Sequence, residues 1–192
     1  MPMRRLDKEK LIQEVREKGV EITNINDLMK INRRYRDLVP ILLKHLNEVT
    51  DERDKEFIVR CLGVKGFVEA AKPLISEFYK SNNVSFKWAI GNSLSIISDA
   101  ESLSELIKLV QEKEHGIARQ MIVDGLGVYK REDVKSVLVE LLKDDEVVGH
   151  AISGISKTGD KDLIKYIKPF ITYKIKWVRK EAQKAIKKLE KA

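Results

Sequence analysis

Three histidines, one cysteine and two tryptophans are the side chains with which this chain could do specialised chemistry. His45, His115 and His150 lie 70 and 35 residues apart, and no His-x-x-x-His, Cys-x-x-Cys or His-Glu pair converges them on an ion. No metal site is therefore expected. Cys61 falls among Ile58, Val59 and Leu62, where a lone thiol reads as a small core residue rather than a nucleophile. No Gly-x-Ser-x-Gly elbow occurs, and Gly63 and Gly66 near Lys65 lack the order of a phosphate-cradling loop. These residues predict no cofactor and no catalytic group.

Trp88 is harder to set aside. It follows Lys87, and Asn92 lies one turn further along the same helical face. Arg119, Gln120 and Asp124 repeat those three positions 32 residues later, which would gather an aromatic ring, two amides, a carboxylate and two cations on one strip. Exposed Trp beside Arg and amides is how binding hot spots are often built. Near the C-terminal end, Tyr173 and Trp177 flank Lys174 and Lys176. That interleaving suits phosphate contact and base stacking, and equally a packed final turn with snorkelling lysines.

The elements that must carry these residues announce themselves by repetition. An apolar helix ending in a small residue and then Leu or Ile returns at Cys61-Leu62, Ser93-Leu94, Gly125-Leu126, Gly154-Ile155 and Ala185-Ile186, at intervals of 32, 32, 29 and 31 residues. A period of this size means stacked units, none of which buries its apolar face alone. Each unit reads as two helices, the first members over 38–49, 70–80, 102–113, 134–143 and 162–171, the second over 54–64, 84–97, 117–129, 146–156 and 176–189. Pro40 and Pro73 suit first turns, whereas Pro169 sits late in its helix and predicts a kink or early end there. Gly125-Leu126-Gly127 reads as a close helix contact and a helix end. Residues 1–36, with a helix over 6–18, a second helical stretch from Asn26 and the basic cluster Arg33, Arg34 and Arg36, form an N-terminal cap, and 37–192 the repeats.

Composition agrees with an all-α reading: 43% apolar, 35% charged and 6% aromatic residues, with only four Pro. The net charge of +7 is uneven, being +7 over 160–192, +4 over 1–36 and −4 between them. A polyanion should favour the C-terminal end. No apolar run approaches the roughly 18 residues of a membrane span, and the start lacks a secretory pattern, so a cytoplasmic protein is expected, with no membrane partner.

Aligned on the repeated pair, the second helices carry an apolar column, Ile58, Ile90, Ile122, Ala151 and Ala182, and three residues earlier a basic ladder, Lys55, Lys87, Arg119 and Arg179, broken by Val148. The last unit, Trp177-Val178-Arg179-Lys180-Glu181-Ala182-Gln183-Lys184-Ala185-Ile186, resembles the second helix of HEAT repeats of the phycobilin-lyase-like subclass. The resemblance implies a HEAT-like α-solenoid of about five helix pairs whose second helices line a concave groove, and a non-enzymatic scaffold or adaptor that binds another protein there. The groove wall would then hold Lys55, Lys87, Trp88, Asn92, Arg119, Gln120, Asp124, Arg179, Lys180 and Lys184. In such repeats the ladder residue often bonds carboxylates or carbonyls of a neighbouring unit, an alternative to ligand contact. HEAT-like deoxyhypusine hydroxylases bind di-iron through repeated His-Glu pairs, which this chain lacks. The alternative function is nucleic-acid binding, since the chain loosely resembles the HEAT-like alkylpurine DNA glycosylases, whose basic wall carries Trp and Asp. It departs from them in having Asn92 one turn after Trp88 and its nearest wall carboxylate, Asp124, a repeat away.

Overall fold

The computed structural model describes residues 3–192, so the first two residues of the expected cap lie outside the described residues. Among the described residues the regular elements are all helices, none long and apolar enough to cross a membrane. The chain forms two compact units that divide between Asp99 and Ala100.

The first unit contains α1 (Lys8–Glu17), α2 (Val39–Glu48), α3 (Glu52–Leu62), α4 (Ala71–Lys80) and α5 (Val84–Ile97). Asp7, Asp51 and Asn83 start α1, α3 and α5 by accepting first-turn amides that have no partner inside the helix. Pro40 enters the first turn of α2, where a missing N–H costs little. Leu42 and Leu46, Ile58 and Leu62, Leu74 and Phe78, and Ile90 and Leu94 are buried pairs spaced one turn apart. These faces meet as α2 on α3, α4 on α5 and α3 on α5.

Residues 3–36 pack within this unit. The expected second helical stretch is two short 3-10 turns, Ile25–Lys30 and Arg33–Leu38, each begun by an asparagine side chain, Asn24 and Asn32. Upstream of α1 the chain is strapped to the α2–α3 corner. Arg4 N donates to Thr50 Oγ1 at 2.7 Å, and Arg5 Nε and Leu6 N donate to Asp54 Oδ2 at 2.6 and 2.9 Å. The hydrogen bond from the Arg5 guanidinium holds the Asp54 carboxyl below the usual carboxylate range. On α1, Glu14 accepts from Lys44 at 2.7 Å and meets His45 Nε2 at 3.1 Å.

The second unit contains α6 (Leu103–Gln111), α7 (Gln120–Leu126), α8 (Glu132–Leu141), α9 (Val148–Thr158), α10 (Ile164–Ile167) and α11 (Lys176–Leu189). Here α7 lies against α6 and α9, and α9 against α8 and α11. Pro169 has the effect its position implies: α10 is a single turn and passes into the 3-10 turn Lys168–Thr172. The helix expected over 117–129 is shorter than its apolar pattern suggests. Gly116, at φ +53°, breaks the chain before it, and the 3-10 turn Gly127–Tyr129 follows it. At Gly127 the backbones nearly touch, because a Cβ there would lie 1.8 Å from the carbonyl oxygen of Gly154 on α9.

Candidate functional site

The basic ladder ends on structural partners. Lys55 on α3 is half-buried and pairs with Glu77 on α4, which also accepts from Lys80 Nζ at 2.9 Å. Burial works against ionisation of Glu77, but these two ammonium groups outweigh it and hold the carboxyl below its usual range. Lys87 on α5 is buried, its Nζ 4.9 Å from the centre of the Phe78 ring. Arg119 is 0% exposed. Its guanidinium donates to the carbonyl oxygens of Val110 and Gly116, each at 2.9 Å, to Asp144 Oδ2 at 2.9 Å and to Glu146 Oε2 at 3.3 Å. Arg119 therefore belongs to the interior of its unit and not to a ligand-facing wall. A fork with five donors is suited to such a corner, where two carbonyls and two carboxylates converge. Arg179, half-buried, donates to the carbonyl oxygens of Tyr173 and Lys174 at 2.7 and 3.2 Å.

The remaining wall positions differ in how open they are. Gln120 Nε2 donates to the Glu146 carbonyl at 2.9 Å, and Asp124 is half-buried beneath Lys157, its ion-pair partner at 2.5 Å. An Asp124 carboxylate neutralised in this way is poorly placed to stabilise a developing cation on a substrate. Trp88 and Asn92 are half-buried. They lie on one face of α5 together with Val84 and Ile96, which are 47% and 41% exposed.

Lys180 and Lys184 belong to a feature that the column alignment obscures. Lys176, Lys180, Lys184, Lys187 and Lys188 are all exposed on α11. At 3.6 residues per turn they fall within an arc of roughly 120°, over a length of about 18 Å. Among the described residues only Lys184 of the five has a carboxylate nearby, Glu181 at 3.4 Å. Val178, Ala182, Ala185 and Leu189 occupy the opposite, buried face.

Trp177 opens the same helix and is 49% exposed. Its ring packs edge-on to His150, with centroids 5.5 Å apart, over Gly149, where a Cβ would lie 1.9 Å from the indole. Beneath it His150 Nδ1 is buried without a hydrogen-bond partner. Burial pushes the His150 pKa down, against the opposing pull of Asp124 and Glu181, so the ring is neutral at pH 7.

Two further groups bear on chemistry. Burial raises the Cys61 thiol to about 12, and its Sγ contacts Met29 Sδ at 3.6 Å, so it offers no thiolate at neutral pH. Glu112, Glu114 and His115 each bring one potential ligand atom within 4.8 Å of the others. Searching for His-Glu order misses this trio, since the glutamates precede the histidine. His115 Nε2 lies 3.1 Å from Glu112 Oε2, a contact within one turn.

No protein-family model matches this chain, and no curated protein matches it.

Proposed function

We propose that the helix pairs are HEAT-like repeats and that the protein is a non-enzymatic, cytoplasmic scaffold that binds another protein through the exposed face of α5. The observation that supports this most directly is the strip Val84, Trp88, Asn92 and Ile96, in which a half-buried indole and an amide on successive turns are bounded at either end by a well-exposed aliphatic side chain. A rigid helix presents such a surface at little ordering cost, and a large ring with one polar neighbour is the usual composition of an interface centre. The polar groups around it offer little to catalysis, because Lys55 is spent on Glu77 and Lys87 is buried against Phe78.

Trp88→Ala should weaken the partner by about 2 kcal/mol, roughly thirtyfold in Kd, with no change in melting temperature. The partner is first captured on immobilised wild-type protein and then titrated calorimetrically against both forms. A variant that melts early would show Trp88 to be a core residue and remove the proposal.

Nucleic-acid binding is the second reading, and the lysine face of α11 favours it. Five cations on one helical face with a single weak carboxylate contact, next to an exposed tryptophan, suit a phosphate backbone with stacking at one end. Binding of labelled duplex DNA, followed by fluorescence anisotropy, should fall with salt along a log–log slope that shrinks by about 0.9 for each phosphate-contacting lysine changed to Gln. Binding insensitive to salt, or a slope unmoved by Lys180→Gln and Lys187→Gln, would eliminate this reading.

A further inference from the structure

The first unit carries a cleft of 670 Å³ lined by Asn32, Arg33, Arg34, Val64, Lys65 and Gly66. Its lining includes three cations and no acid. Among the described residues Arg33, Arg34 and Lys65 form no ion pair, in contrast to Arg36 three positions on, whose guanidinium is taken by Glu69. Three like charges around one concavity repel one another, and a multiply charged anion relieves that repulsion.

Both walls are held in place from within the unit. Asn32 Oδ1 accepts from Arg34 N at 3.0 Å and fixes the turn that carries the two arginines. Phe67 N donates to the Val64 carbonyl at 3.0 Å, and the Phe67 side chain is 0% exposed, so the loop bearing Lys65 is tied at its far end to the core. Gly66, at φ +95°, has nothing within 4 Å of where a Cβ would be, which leaves that side of the cleft open. Guanidinium forks match phosphate oxygens two at a time, and Lys65 adds a mobile point charge. The volume falls within the range of small-ligand sites, and Val64 supplies an apolar contact for the remainder of a ligand.

We infer that this cleft is a binding site for a small phosphorylated molecule, with Arg33, Arg34 and Lys65 holding the phosphate. It shares no residue with the α5 strip or with the lysine face of α11, and it requires neither reading of function to hold.

Isothermal titration calorimetry with pyrophosphate tests this on the full chain. Three proteins are compared: wild type, Arg34→Gln/Lys65→Gln, and Lys161→Gln/Lys168→Gln, which loses the same charge from two exposed lysines that belong to none of the surfaces described above. Saturable one-to-one binding is expected for wild type and for Lys161→Gln/Lys168→Gln, with a loss of about tenfold or more in Arg34→Gln/Lys65→Gln. Equal weakening in both variants, or no saturable heat with wild type, overturns the assignment. Melting temperatures verify folding, and if the double variant melts early the same criterion is applied to Arg33→Gln.

Discussion

Arg119→Ala is expected to lower the unfolding free energy by about 3–5 kcal/mol, the range for breaking a buried ion pair by removing one partner. The loss is more than one contact. The guanidinium satisfies the carbonyls of Val110 and Gly116 and neutralises Asp144 from a position with no solvent exposure. Its removal leaves buried acceptors without donors and a half-buried carboxylate without its cation. Arg119→Lys should recover part of the loss, since an ammonium keeps the charge but cannot reach four acceptors in one plane. Urea unfolding of the three proteins measures this directly. A change below about 1 kcal/mol in Arg119→Ala would mean that the guanidinium is an exchangeable surface group after all.

The second large effect concerns a single methyl group. Gly127→Ala places a Cβ 1.8 Å from the Gly154 carbonyl oxygen and 2.7 Å from its carbon, and backbone on α9 cannot step aside as a side chain can. The residue has an ordinary helical φ of −60°, so Ala gains in intrinsic preference and the penalty is steric. A net loss of about 3 kcal/mol is expected, at the upper end for overpacking. Gly149→Ala makes an informative comparison, because its Cβ meets the Trp177 ring at 1.9 Å and that ring is half exposed. It should cost less and shift the Trp177 fluorescence, as the indole is pushed into water. Thermal or denaturant melting of both variants would expose an error if their order were reversed.

Much of this could be read from the residues in order. Apolar side chains one turn apart, the Asp and Asn caps and the early prolines specify α2 to α5 and α11 within a few residues, because all are local signals. Pro169 marked the weak helix for the same reason. What the chain order hides is pairing at a distance. A basic residue at the Arg119 position looks alike whether it meets a ligand or Asp144, 25 residues further on. Asp124 and Lys157 are 33 apart, and the two sides of the cationic cleft some 30. The apolar periodicity over 117–129 hides the true length of α7, because it does not distinguish an α-helix from the 3-10 geometry that residues 117–119 and Gly127–Tyr129 adopt. The α11 lysines were counted as charge, but their common face appears only once the helix has a definite start and a buried side.

The strap at the beginning of the first unit has a kinetic meaning. Helix pairs such as α2–α3 can assemble from neighbouring sequence, whereas Arg4, Arg5 and Leu6 must wait for Thr50 and Asp54, 46 to 49 residues later in the chain. Loop closure of that length costs only about 0.6 kcal/mol more than closure of half of it, so the delay need not make the closed state unstable. It does make α1, which also buries Leu11 and Val15, a late arrival, and an element that joins last is also the natural one to leave first. During synthesis, and again on partial unfolding, the face of α2 beneath α1 would be briefly uncovered while the later helix pairs remain folded.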